Sequence, residues 1–192
     1  MEAHEATESV EHHEGSGFKS RAALQVSVMA MVLAIASLGG SNAAKDATQH
    51  NILAANAYNF YQAKNIRQTA YKVAADELEI SLAKDEKLNA DAKALISKKL
   101  EAYRKNIERY ESEPETGEGK KELMERAKEH EHERDVAMRR DPWFDYAEAF
   151  LQIGIVLASV AIITSTPLLL TGSLALGLLG FVSALNGFML IV

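Results

Sequence analysis

Three stretches of the chain are apolar and uncharged, and the segments around them alternate charged and apolar positions with a helical period. No charged side chain occurs between Ala22 and Leu38, and none follows Glu148 up to Val192. The apolar core of a bilayer needs roughly 20 apolar residues of helix. The run from Ala22 to Gly40 is just long enough, a second extends from about Tyr146 to Thr164, and a third from about Pro167 to Val192. A cleaved leader is the competing reading of the first run. The acidic segment before it and the continuation of the helical pattern past Ser41 argue against that reading.

Asp141 and Pro142 form a helix start, with aspartate as cap and proline at the first helical position. Trp143, Phe144 and Tyr146 follow where a helix crosses the membrane interface, and Lys19, Arg21, Arg139 and Arg140 are the basic anchors near the span ends. The link Ser165-Thr166-Pro167 permits only a tight antiparallel hairpin. Small residues recur four apart in the last two spans: Gly154 and Ala158, Ser173 and Gly177, Gly180 and Ala184, Ser183 and Gly187. Such spacing lets helices approach closely where lipid supplies no hydrophobic drive. These positions are expected either to seat the hairpin against the first span or to form an oligomer interface.

Residues 41–141 are rich in Ala, Leu, Lys, Glu and Gln and read as helical, with one strong breaker from Ser112 to Gly119. A single helix from 41 to 112 would rise about 108 Å, while the following loop and helix return only about 60 Å. Since residue 141 must be back at the bilayer, a turn is required. Lys84–Asp91, with Asn89 and Asp91 as possible caps, is its place. The reading is helices over about 41–84, 89–112 and 120–140. On the first, Ile52, Asn59, Ile66, Val73 and Ile80 stand seven apart and form the expected seam, with Asn59 either buried in it, where it fixes register or oligomer state, or at a wet edge. The second carries Leu88, Ala92, Ile96, Leu100, Tyr103, Ile107 and Tyr110; the third offers Leu123, Ala127 and Met138.

Composition alone, 47% hydrophobic and 25% charged, resembles an ordinary globular domain and hides this division. The net charge of −6 comes mostly from an acidic tail, residues 1–18, expected to be disordered. No basic patch suggests nucleic acid. With no cysteine, thiol chemistry is excluded. His4, His12 and His13 among the tail glutamates are the only candidate metal ligands, for Zn²⁺ or Ni²⁺. His130 and His132 are two apart and point to different helix faces. No phosphate loop and no His-Glu-x-x-His occurs. Apart from Glu148, which with Gln152 lies near the interface end of the second, the spans hold no charged residue, and Asn186 is the only strongly polar side chain deep in the third, which disfavours proton-coupled transport. Tyr58, Phe60, Tyr61, Lys64 and Arg67 form the densest polar-aromatic patch, a partner or headgroup contact if exposed and an internal contact otherwise.

The stretch Tyr61–Arg67, YQAKNIR, resembles the central motif of the bacterial family known as domain of unknown function 4337. The order of a His/Glu-rich tail, one span, an Asn/Ala-rich helix, a charged helical region and a terminal apolar hairpin matches as well. The resemblance implies a bacterial membrane protein and carries no activity, ligand or catalytic residue.

The expected architecture is all-α. A tail over 1–18 precedes a first span over 19–40, an extramembrane antiparallel coiled-coil stalk over 41–141, and spans over 142–165 and 167–192. The expected function is non-enzymatic and needs no cofactor: a multi-pass scaffold or accessory subunit, homo-oligomeric or within a larger complex in the bacterial cytoplasmic membrane. The alternatives are an oligomeric pore lined by Thr171, Ser173 and Asn186, and a metal sensor working through the tail. Basic residues flank both ends of the first span, and the orientation with the soluble part in the cytoplasm is preferred.

Overall fold

A computed structural model describes residues 2–84 and 89–191, with side chains from residue 17 onward. Among these there are four helices and no strand: α1 (Glu2–Lys84), α2 (Ala90–Glu111), α3 (Lys120–Thr164) and α4 (Pro167–Met189). α1 begins at Glu2, so its backbone takes in the acidic tail. Three of the helices, α1, α3 and α4, are long and apolar enough to cross a membrane. The chain divides into two compact units, one of Met1–Ala47 with Asp135–Val192, the other of Thr48–Arg134.

In the first unit α1 presents Ala22, Met29, Ala36 and Ala43, all buried and seven apart. Opposite them stand Phe144, Ala147, Leu151 and Ala158 of α3, and Ser173, Gly177, Gly180, Ala184 and Gly187 of α4. Small residues on each helix bring the backbones close enough for a few large side chains to fill the space between. Phe144 is the largest of these in effect. A Cβ on Gly39 would fall 2.5 Å from its ring, and one on Gly187 2.9 Å, so both glycines are needed where they stand. The ring also meets Phe188 edge-on, with centroids 4.9 Å apart. Phe144 is 2% exposed and is therefore a core residue, not the interface anchor its neighbours suggest. Trp143 and Tyr146 stack edge-to-face beside it, with Tyr146 exposed.

Pro142 lies inside α3, not at a helix start, and Asp141 is helical rather than a cap. An interior proline leaves the carbonyl four residues earlier, that of Met138, without its N–H and costs about 3 kcal/mol. Burial of Phe144, Ala147 and Leu151 over the next turns offsets that cost and carries the helix through. Met138, expected as a contact, is exposed. α3 ends at Thr164, Ser165 takes a left-handed φ of 52°, and α4 opens at Pro167, which gives the tight hairpin its turn.

In the Thr48–Arg134 unit, partner numbers rise as α1 numbers fall. Glu79 meets Arg104, Tyr71 meets Tyr103 and Tyr110, and Gln68 meets Ile107. Lys64 meets Glu113 and Glu118, Tyr58 meets Glu131, and His50 meets His130. α1 thus runs antiparallel to a return path in which α2 and the first turns of α3 follow one another along the same side. The turn between Lys84 and Ala90 falls where the return distance requires one. There Asn89 caps α2, its side chain accepting from the Ala92 N–H at 2.8 Å.

The covered stripe of α1 differs from the expected one. Ala54, Ala57, Gln68 and Ala75 are buried, with Tyr61, Lys64, Tyr71 and Leu78 half-buried between them, alternately three and four apart. Ile52, Ile66, Val73 and Ile80 are more than half exposed, and Asn59 is exposed with them. Alanine wins the inner face because two helices crossing at small residues approach more closely, leaving room for tyrosines to lie across the partner. On α2 the expected stripe faces inward, with Ala92, Ile96, Leu100, Tyr103 and Ile107 half-buried and Tyr110 buried. Leu88 lies outside the described residues. Leu123 and Ala127 of α3 are buried.

Candidate functional site

The return path is interrupted once, from Ser112 to Gly119, and the polar chemistry of the Thr48–Arg134 unit gathers at that interruption. Gly117 adopts φ +67°, a left-handed conformation that glycine takes without strain. Arg126 donates to its carbonyl oxygen at 3.2 Å. Glu122, in the first turn of α3, reaches back over the loop. One carboxylate oxygen accepts from the Ser112 hydroxyl at 2.5 Å and the other from the Glu113 N–H at 3.2 Å. These bonds favour the ionised form and hold the Glu122 carboxyl below the usual range, the Ser112 bond foremost.

Facing the loop from α1 is Gln68, 2% exposed. Its Nε2 donates to the Ile107 carbonyl and to Glu111 Oε2, both at 2.9 Å. Its Oε1 accepts from Lys120 Nζ at 2.9 Å. Lys120 also donates to Glu111 at 3.2 Å and lies over the Tyr61 ring at 5.6 Å. Hydrogen bonds from Gln68 and then Lys120 lower the Glu111 pKa below its ordinary value. One step down α1, Lys64 pairs with Glu118 at 3.3 Å and sits over the Tyr110 ring at 5.4 Å. Both lysine side chains are 12% exposed. No buried side-chain nitrogen or oxygen among the described residues lacks a hydrogen-bond partner.

An open cleft of about 410 Å³ adjoins this node, lined by Tyr61, Glu111, Lys120, Lys121, Met124, Glu125 and Lys128. Its walls carry both signs of charge. The node ties three segments, α1, the end of α2 and the start of α3, through one buried amide. Removing any member strands the others. Among the described residues no group of three or more His, Cys, Asp and Glu is placed to hold a metal ion.

The polar-aromatic patch divides between two faces. Tyr58, Tyr61 and Lys64 turn inward, Tyr58 donating to Glu131 Oε2 at 3.0 Å. That bond to an ionised carboxylate favours the neutral phenol and raises the Tyr58 pKa above its usual value. Phe60, 63% exposed, and Arg67 point outward. Tyr58 thus meets an acidic residue of α3, Lys64 meets Glu113 and Glu118 of the loop, and Tyr61 lies under Lys120. Lys19, Arg21, Arg139 and Arg140 are exposed. His4, His12 and His13 fall among residues whose side chains lie outside the described ones.

In the first unit Gly154 and Gly177 both lie against Met29; a Cβ on Gly177 would come 3.1 Å from its sulfur. Gly180 rests on Leu151, and Ala158 is fully buried. Ser173 donates to the Gly154 carbonyl at 2.6 Å. It accepts from Gln25 Nε2 at 2.9 Å. Asn186 accepts from the Ile191 N–H at the end of α4, and Thr171 bonds back to the Pro167 carbonyl. The three residues suggested for a pore are thus bonded within their own chain. Gln25 is a polar side chain in the first apolar run that sequence reading passes over; the uncharged residues from Ala22 to Leu24 and from Val26 to Leu38 hide it in a hydropathy count. His50 and His130, with Nδ1 atoms 3.2 Å apart, are the other missed pair, and nothing in sequence brings positions 80 residues apart together.

The model of a family described as a domain of unknown function, DUF4337, matches residues 18–190. No curated protein and no solved structure matches the chain.

Proposed function

The chain belongs to the DUF4337 family, and from that premise we propose that it is a non-enzymatic multi-pass membrane protein acting as a helical scaffold or accessory subunit. In this reading α1, α3 and α4 cross the membrane, and the Thr48–Arg134 unit is an antiparallel coiled-coil stalk. The chain is homo-oligomeric or part of a larger complex in a bacterial cytoplasmic membrane, with the stalk in the cytoplasm.

The observation that carries this reading is the use made of polar side chains in the Thr48–Arg134 unit. Gln68, Lys120 and Glu111 bond to one another, Lys64 pairs with Glu113 and Glu118, and Glu122 accepts from the Ser112 hydroxyl and the Glu113 N–H. A network whose members satisfy each other fixes register, the best-attested use of buried polar groups between helices. The alternation of three and four along the covered stripe of α1 is the spacing of a coiled-coil seam. The three helices long and apolar enough to cross a membrane support the anchor.

Purification from native membranes in gentle detergent, with native mass spectrometry, tests the proposal. Co-purifying partners or a defined homo-oligomer are expected. A clean monomer without a partner overturns it. Orientation is tested by Thr116→Cys in intact cells: Thr116 is exposed and the chain has no other cysteine. Labelling by an impermeant reagent would place the stalk outside.

A further inference from the structure

α1 is apolar along a second line, opposite its covered stripe, and no described residue of its own chain covers it. Ile52, Ile66, Val73 and Ile80 are 54%, 71%, 53% and 51% exposed. With exposed Asn59 they occupy every seventh position across about 42 Å of helix. A stripe repeated at seven residues over five positions is one of the two seam positions by which one helix packs on another, the second here being Ala55, Gln62, Thr69 and Asp76, and an asparagine within it selects register and oligomer state.

We infer that this face is the contact with a second copy of the chain, α1 against α1, parallel and in register. The flanking charges select that partner. In a parallel pair, the residue just before each stripe position lies beside the one five further along the other helix. That rule sets Lys72 beside Glu77 of the second copy and Glu79 beside its Lys84, two complementary pairs on each side. Lys72, Glu77 and Lys84 are exposed. Glu79 Oε1 already holds Arg104 of its own chain at 2.7 Å, and a carboxylate accepts several bonds at once. An antiparallel pairing centred on Ile66 sets Lys72, Glu77 and Glu79 opposite residues 53–60, which carry no charge. Asn59 meets its own counterpart only in the parallel register. The parallel orientation rests in addition on the membrane-anchored reading, since copies inserted in one membrane share a direction. Asp76 is the one charge the register sets beside its own counterpart, so it weakens the pair.

The chain's lack of cysteine makes the test direct. Ile52→Cys and Ile80→Cys are each expressed in membranes and treated with a mild thiol oxidant, with Leu95→Cys on α2, 60% exposed, as the control. Each stripe variant alone is expected to form a disulfide-linked dimer, because like positions come within the roughly 4.4–6.8 Å Cα separation a disulfide needs; the control stays monomeric. Cross-linking only when the two stripe variants are mixed means an antiparallel pair and overturns the proposal. No cross-link with any variant overturns it too. An oligomer of the unmodified chain in native mass spectrometry then leaves the scaffold reading standing, whereas a lone monomer removes both. Because all these positions are exposed, folding of the chain is not at stake. Asp76→Asn is expected to strengthen the dimer and Ile66→Glu to weaken it about tenfold or more, a change of about 1.4 kcal/mol; unchanged dimer in both variants overturns the proposal.

Discussion

Gln68 on α1 donates to the main-chain carbonyl oxygen of Ile107 on α2 at 2.9 Å, and this bond crosses the interface just where the return path is about to break. The same amide holds Glu111 and Lys120, so it joins the two return helices to each other as well as to α1. Replacing it with leucine keeps the volume and leaves Lys120 and Glu111 one partner short. Gln68→Leu is expected to lose about 1–3 kcal/mol, the range for stranded buried polar groups. Chemical denaturation of the full chain in detergent measures this. A variant as stable as the parent would show the node to be idle.

Phe144 carries the other prediction on packing. Its ring fills the space that Gly39 and Gly187 leave, and it is almost wholly buried. Phe144→Ala opens a cavity where rigid small residues have little to collapse, so a loss of about 3–5 kcal/mol is expected. Trp143→Ala, one position away and only half-buried, is expected to cost less. Thermal unfolding of both variants in one detergent compares them; equal losses would show that Phe144 is not the core residue its burial makes it.

The three helices long and apolar enough to cross a membrane are legible in the sequence because the absence of charge over such long runs is unambiguous. The turn near Asn89 is legible by distance alone, since a helix has a fixed rise and the chain must return. The face of α1 is not legible. Its inner stripe is made of Ala54, Ala57, Gln68 and Ala75, which hydropathy scores weakly, while branched aliphatic residues at every seventh position draw the eye to the outer face. Gln68 illustrates the same difficulty: a polar residue reads as solvated until the structure places its partners. Phe144 stands between Trp143 and Tyr146, so type and neighbourhood mislead together. Pro142 misleads because a good local start signal is overridden by packing further along the helix.

The stability of the Thr48–Arg134 unit is expected to depend on pH at both ends. Glu111 and Glu122 have folded pKa values below their unfolded ones. Their contribution is therefore present above the ordinary carboxylate range and is lost as pH falls through the folded values. Tyr58 is raised, chiefly by its bond to Glu131. Its contribution is present below its ordinary pKa near 10 and is lost as pH rises through the higher folded value. Denaturation midpoints followed from about pH 6 down to about pH 3 should fall less steeply in Glu122→Gln than in the parent. Midpoints above about pH 10 should fall less steeply in Tyr58→Phe. Identical slopes in variant and parent would remove the assignment at that end.

Ser173 joins all three helices of the first unit. Its hydroxyl donates to the Gly154 carbonyl of α3 and accepts from Gln25 of α1, while its own Cα belongs to α4. Polar bonds between helices in an apolar surrounding contribute modestly, about 0.6 kcal/mol on average and up to roughly 1.7. Ser173→Ala keeps the close approach and removes only the hydroxyl, so a loss within that range is expected. Gln25→Leu should lose a similar amount, and the double variant less than the sum, because the two share one bond. Ser173→Leu is different in kind: a side chain cannot enter a fully buried position packed against Gly154 and Met29 without parting the helices. A reversible unfolding titration of the four variants in mixed micelles ranks them. If Ser173→Ala and Ser173→Leu lost equally, the hydroxyl rather than the close approach would be what the position supplies.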